Sequence, residues 1–303
     1  MPIFSSVIFE CNVPPEVTNP NFVSLVNLEK NSGKILEGRV TDNSGRIRYP
    51  PPTRQPKFKV AACIKPFYTE TWTDTNPSGL IEWIEFQRMM GVEHFTFYNI
   101  SGPPEFRKVL ESYGDEISLL PWDIPFKSGR AVASRGQYGQ TNDCLYRYKG
   151  VARFVSTLDY DEFLIPRDPT INNYAKLFSR ILLRKRLHGL KVTKFIQIEE
   201  NLKVAGVHKG TLGVPGSVSY NVPESIGYYL HYRGCTEFFL KENPTLLNGA
   251  NCLNNYSSRV QNTDARNRFG PQLESRVNRK VTMLVELGHV DKKWLKTFSI
   301  IKK

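Results

Sequence analysis

No stretch of this chain is long or apolar enough to span a membrane, and its first residues lack the basic-then-apolar layout of a signal peptide. The expectation is a chain anchored, if at all, by a segment outside the sequence given, or one that never enters the secretory route. Cys11, Cys63, Cys144, Cys235 and Cys252 are widely spaced and form no Cys-x-x-Cys pair, which excludes a zinc knuckle or a thioredoxin-type motif. An oxidising compartment would pair four of them and leave one over. Internal repeats are absent, and the only low-complexity tract is Tyr49-Pro50-Pro51-Pro52. Acids are scarce relative to bases: 41 Lys and Arg against 29 Asp and Glu give a net charge of +12. Nucleic acid, anionic glycans, a membrane surface and phosphorylated small molecules are all compatible with that balance. The charges are scattered, however, and the densest run, Arg180 to Arg186, reads as the solvated face of a helix. Most aromatics fall inside periodic, core-forming segments, so the exposed aromatic and basic interleaving of a nucleic-acid binder is missing, and no nucleic acid is expected as a partner.

What is present is organised. Residues 1–56 are rich in Pro, Asn, Ser and Gly, with short strand-like pieces at Ile3 to Phe9 and Phe22 to Leu28. They read as a β-rich extension closed by a stiff proline linker, with a second domain over 57–303. From Phe58 strands and helices alternate. Strands are expected at Lys59 to Ile64, His94 to Tyr98, Ile117 to Leu120 and through Arg153 to Leu158. The helices between them are expected at Leu80 to Met90, Glu105 to Tyr113 and Gln140 to Tyr148. A helix over Tyr174 to Leu187, a strand over Thr193 to Ile198, a glycine-rich region at Gly206 to Gly216 and a strand carrying Tyr228 to Arg233 follow. The polar segment Leu246 to Arg279 suits a helical or loop connection. Alternation of this kind implies an α/β domain with a mostly parallel sheet, whose ligands sit beyond the carboxyl ends of the strands.

The run Arg153-Phe154-Val155-Ser156-Thr157-Leu158-Asp159-Tyr160-Asp161-Glu162 carries the chemistry. A buried strand runs into three acids and then into an apolar turn, Phe163 to Pro166. On a strand, side chains at i and i+2 leave the same face, so Asp159 and Asp161 can converge. Two such carboxylates repel one another unless a cation joins them, and a hard divalent ion would bridge them to a diphosphate. A solvated turn with no ligand is the plain alternative for the tripeptide alone. The strand before it and Glu-Phe-Leu-Ile-Pro after it favour the metal reading.

Several separated pieces together resemble glycosyltransferase family 92, a galactosyltransferase group of GT-A fold. They are Glu82-Trp83-Ile84-Glu85-Phe86 with Gly91 to Asn99, Gly139-Gln140-Thr141-Asn142-Asp143-Cys144-Leu145, Asp159 to Pro166, and His231-Tyr232-Arg233. The resemblance implies a GT-A-type nucleotide-sugar-binding domain that moves galactose from UDP-galactose to a glycan hydroxyl, with Mn2+ and with inversion. It further implies a Golgi-lumen enzyme. Carried over by position, Asp159 and Asp161 hold metal and nucleotide-sugar, His231 completes the metal shell, and Lys65, Glu70, Asn142 and Asp143 lie on the donor. For Asp143 a structural ion pair is the alternative, and for His231 a hydrogen-bonded core histidine. His208 is a weaker candidate of the same kind. Arg147 and Lys149, close in sequence to the acids, are candidates for charge neutralisation.

Asn99 and Ser101, after the second strand, are either donor-facing or ordinary turn residues. Asn99 also opens a glycosylation sequon, as does Asn255, and a glycan on Asn99 would conflict with donor binding. Inversion needs one carboxylate within reach of the acceptor hydroxyl. Glu199, Glu200, Glu224 and Glu237 fall in the acceptor half, and Glu237 is preferred. A glycoside hydrolase would need its carboxylates across a cleft rather than adjacent. The alternative that keeps the fold is a non-catalytic nucleotide-sugar or glycan-binding relative.

Overall fold

In the computed structural model of the chain, the described residues are 8–24, 44–47, 49, 55–68, 77–124, 132–182, 187–191, 195–207, 210–231 and 263–293. The chain divides into two compact units, Val7–Arg54 and Met1–Ser6 with Gln55–Lys303. In the smaller unit β1 (Phe22–Ser24) and β2 (Ser44–Arg46) pair antiparallel, and the Tyr49 hydroxyl donates to the Pro20 carbonyl at 2.6 Å. Of the expected Ile3 to Phe9 piece, Ile8 and Phe9 are described and are not in a strand.

The larger unit is α/β, as the alternation requires. Strand β3 (Phe58–Tyr68) is followed by α1 (Pro77–Met89), β4 (His94–Ser101), α2 (Pro104–Glu111), β5 (Ile117–Pro121), α3 (Gln137–Tyr148) and β6 (Ala152–Leu158). Then come β7 (Glu162–Pro166), α4 (Tyr174–Leu182), β8 (Leu187–Lys191), β9 (Phe195–Gln197), β10 (Leu202–Ala205), β11 (Gly210–Gly213), β12 (Val218–Asn221), β13 (Gly227–His231) and α5 (Thr263–Glu286). The main sheet has the order β12-β8-β9-β6-β3-β4-β5. Its four strands β6, β3, β4 and β5 are mutually parallel, whereas β9 runs antiparallel to both β6 and β8.

Alternation on the strands assigns the two faces. Val60, Ala62 and Ile64 of β3 point to the side of α1, α2, α4 and α5, whereas Ala61 and Cys63 point to α3. On β4, Phe95 and Phe97 take the first side and Tyr98 the second. Cys63 and Cys144 form a disulfide that ties β3 to α3. Helix α1 is buried on nearly every side, with Trp83 and Ile84 at 0 % exposure, because it lies between the sheet and α5. It stops at Gly91, whose φ of +84° suits glycine, with the Val92 amide donating back to the Gln87 carbonyl.

The structure corrects or sharpens the sequence reading at four places. Glu162–Pro166 is a strand and not a turn: all five residues are buried, and β13 pairs with it antiparallel. The helix begun at Tyr174 is described to Leu182, and Leu187 opens a strand. The glycine-rich region contributes β11, which pairs with β10 as an antiparallel ribbon. In the polar segment Thr263 opens a long helix whose buried stripe, Ala265, Phe269, Leu273, Val277, Val281 and Leu284, joins the core. That stripe recurs every three or four residues, and the polar composition around it concealed it.

Candidate active site

The chain leaves β3 in one direction, through β4 to β5, then returns to the other flank of β3 as β6. Between β3 and β6 the strand order therefore reverses, and a crevice for ligands opens at the carboxyl ends of two such strands. Ile64 of β3 is in register with Leu158 of β6, so the next residues out are Lys65 and Asp159. Their side chains meet: Lys65 Nζ donates to Asp159 Oδ2 at 3.0 Å.

Asp159 and Asp161 do not sit on a strand, contrary to the i, i+2 argument. β6 ends at Leu158, β7 starts at Glu162, and the residues between form a turn closed by the Glu162 amide donating to the Asp159 carbonyl at 3.1 Å. The turn is held from within. The Glu162 carboxylate, 2 % exposed, accepts the Asp159 amide at 3.1 Å. The Glu162 carbonyl accepts from Trp83 Nε1 at 2.9 Å and from Gln87 Nε2 at 3.4 Å. These anchors were not singled out in the sequence. The signal for them was Glu162 directly after the acid pair, and Trp83 within a matched motif that carried no role.

Electrostatics at this end are dominated by the acids. Burial alone would lower the Lys65 pKa, but Asp159 and then Asp161 outweigh it, and the ammonium is held above the usual lysine value. Asp159 is 5 % exposed and Asp161 is half-buried. Across the ribbon, His231 of β13 is in register with Glu162, which puts its backbone one residue from Asp161.

Other expected donor residues are committed elsewhere. The Asn142 amide clamps Ala205 of β10 in both directions: Nδ2 donates to the Ala205 carbonyl at 2.9 Å, and Oδ1 accepts the Ala205 amide at 2.9 Å. Asp143 Oδ2 accepts the Tyr98 hydroxyl at 2.7 Å, and its carboxylate takes both Arg147 Nε and Nη2 at 3.0 Å, the ion pair given as its alternative. Arg147 is thus paired away from the acids. With Lys149 it precedes β6, whereas Asp159 follows that strand, about 23 Å on at 3.3 Å per residue. Asn99 Oδ1 accepts the Gly102 amide at 2.8 Å, as its turn reading required. Glu200 and Glu224 are exposed. Glu70, His208, Glu237 and the second sequon at Asn255 lie outside the described residues.

Asp159 and Asp161 offer hard oxygen donors suited to Mg2+ or Mn2+. Among the described residues no group of three or more His, Cys, Asp or Glu side chains gathers as a metal site. Two carboxylates alone would leave most of such an ion's shell to a ligand's phosphates and water.

Fold and site together define an α/β protein with an acidic turn at the switch point of a parallel sheet. Residues 58–182 match the model of Glycosyltransferase family 92, so the resemblance to that family holds over the β3-to-α4 core. A Caenorhabditis elegans glycosyltransferase family 92 protein is 29% identical over 148 residues, 45% of this chain and 28% of that one. The C. elegans beta-1,4-galactosyltransferase galt-1 is 26% identical over 113 residues, 36% of this chain and 26% of that protein. Arabidopsis thaliana galactan beta-1,4-galactosyltransferase GALS1 is 25% identical over 189 residues, 58% of this chain and 37% of that protein. The matched part is thus between about a quarter and two-fifths of the length of these relatives. Among solved structures, glucosyl-3-phosphoglycerate synthase from Mycobacterium tuberculosis, in complex with Mn2+, UDP and glucosyl-3-phosphoglycerate, is 10% identical with a TM-score of 0.35. That similarity covers 61% of this chain and 75% of the synthase. S. aureus TarS is 14% identical with a TM-score of 0.31, covering 45% and 22% respectively.

Proposed function

We propose that this chain carries the donor-binding and catalytic domain of a metal-dependent inverting glycosyltransferase, which moves galactose from UDP-galactose to a hydroxyl of a glycan. The observation that carries the reading is the Asp159 to Glu162 turn beside Lys65 at the switch point, within the stretch that matches the family. Galactose as the transferred sugar is suggested by the names of two of the relatives.

In this reading Asp159 and Asp161 hold a divalent cation together with the donor's diphosphate, and His231 is the further ligand. When bound, the ion supplies positive charge to the departing UDP. The chain's own residues do the rest. Glu162, pinned by Trp83 and Gln87, keeps the acid turn in one shape, and preorganised charge of this kind is worth most where water is excluded. Lys65 holds Asp159 before the ligand binds and adds positive charge at the diphosphate end. Glu237 takes the proton of the acceptor hydroxyl as its oxygen bonds to the anomeric carbon and the bond to UDP breaks, which inverts that carbon. The Cys63–Cys144 disulfide suits an oxidising compartment, and with it a Golgi-lumen setting. No described helix is long and apolar enough to cross a membrane. The absence of a three-ligand cluster among the described residues favours a second reading, a non-catalytic nucleotide-sugar-binding relative.

The test is transfer of labelled galactose from UDP-galactose to a panel of oligosaccharides, with Mn2+ or with chelator, the product anomer being read by NMR. A β-linked product that requires the metal is expected. An α-linked product, or transfer undiminished by chelator, contradicts the mechanism. Donor binding without transfer to any acceptor supports the non-catalytic reading.

A further inference from the structure

Gln140 lies in the first turn of α3, is 0 % exposed, and has no hydrogen-bond partner for either amide atom among the described residues. A buried carboxamide left unpaired costs stability, and such a group calls for an explanation. Its position supplies one. The disulfide fixes Cys144 against Cys63, and α3, which leads from the end of β5 to the start of the parallel strand β6, runs opposite to β3. One turn back along α3 from Cys144 is Gln140, about 6 Å toward the carboxyl ends of the strands. Two residues on from Cys63, on the same face of β3, is Lys65, about 6.6 Å in the same direction. Gln140 and Lys65 are therefore brought level on the α3 side of the sheet, where Lys65 reaches Asp159.

We infer that Gln140 is a positioning residue for Lys65: its buried carbonyl oxygen is a neutral acceptor to which the ammonium turns when a cation and a diphosphate take Asp159. This rests on the donor-site reading above. A divalent ion on Asp159 repels the lysine that Asp159 now holds, and an ammonium on a side chain only 31% exposed loses a hydrogen bond unless a new acceptor replaces it, a penalty that would oppose ligand binding. The Gln140 oxygen removes that penalty, and the unpaired amide is the cost in stability that the site carries for it. It also separates the roles within the matched motif: Asn142 and Asp143 hold the scaffold, and Gln140 serves the ligand.

The experiment is calorimetric titration of UDP with Mn2+ into the wild type, Gln140→Met, Lys65→Met and the double variant, with a thermal melt of each in the absence of nucleotide. Gln140→Met is expected to weaken UDP binding about tenfold while raising the melting midpoint by about 2–4 °C, because it removes a buried unpaired amide. In the Lys65→Met background the same change is expected to leave UDP affinity unaltered, since there is no ammonium to receive. Equal weakening in both backgrounds, wild-type affinity in Gln140→Met, or a lowered melting midpoint would each overturn the inference, the last by marking Gln140 as structural. Should Gln140→Met not fold, Gln140→Glu, which keeps an acceptor oxygen, decides: UDP binding within a few-fold of wild type supports the role, and a larger loss overturns it. A wild type that binds no UDP overturns the donor-site reading itself, a result distinct from failure of the cycle alone.

Discussion

The two ends of the parallel sheet handle buried polar groups in opposite ways. At the amino-terminal end His94 opens β4 and its Nδ1 lies 2.6 Å from the Tyr148 hydroxyl, which lies 2.7 Å from Thr96 Oγ1. Ser118 Oγ approaches the other ring nitrogen at 3.4 Å, and Phe58 stacks on the imidazole with centroids 4.9 Å apart. That network is closed by neutral partners. At the carboxyl-terminal end Lys65 meets Asp159, and the fully buried Gln140 amide has no hydrogen-bond partner among the described residues. The His94 network is hydrogen-bonded throughout, although the buried Tyr113 hydroxyl, just before β5, has no hydrogen-bond partner among the described residues. Acidic charge concentrated at one end is what the proposed donor site draws on.

The comparison breaks if substitutions at the two ends behave alike. Trp83→Phe removes the donor to the Glu162 carbonyl and leaves a void in a fully buried site, so a loss of about 2–4 kcal/mol in urea unfolding is expected. The same variant is expected to weaken UDP binding severalfold as the acid turn loosens. Tyr148→Phe should cost less, about 1–2 kcal/mol, by orphaning His94 and Thr96, and should leave UDP binding unchanged. A fall in UDP affinity in Tyr148→Phe would erase the distinction between the ends.

The smallest effect is pH-dependent. Burial first, and the charge of Lys57 second, hold the His94 pKa below its usual value. A histidine with a lower pKa folded than unfolded makes the unfolded chain bind more protons, so stability rises with pH. The contribution is present above the unfolded value of about 6.5 and is lost as pH falls through it toward the lower folded value. Unfolding midpoints measured across that range should decline on acidification, and His94→Gln should flatten the decline. An unchanged slope in that variant would place the titrating group elsewhere.

Much of the fold was legible because its central strands and helices carry period-specific patterns. The expected strand at His94 to Tyr98 became His94–Ser101, and the expected helix at Gln140 to Tyr148 became Gln137–Tyr148, extended only at the ends. β7 was read as a turn because its proline suggested a stop, whereas pairing with β13 closes it as a strand. The acid pair stands out in the sequence, but Asp159 and Asp161 lie in a turn between β6 and β7, so the alternation of a strand does not bring them together. Lys65 was placed at the donor from resemblance, and only the register of β3 on β6 reveals that Asp159 is what it meets. Asn142 and Gln140 look alike in sequence. Which of them is bound to backbone and which is left over depends on the Ala205 contact, 63 residues away in the chain.

The central claim is that the acid turn binds a nucleotide-sugar through a divalent cation. Calorimetric titration of UDP-galactose, with Mn2+ and with chelator, into the wild type and Asp161→Asn tests it most directly. Binding that needs both the metal and Asp161 is the predicted result. Equal binding in all four conditions, or binding in none, would contradict it.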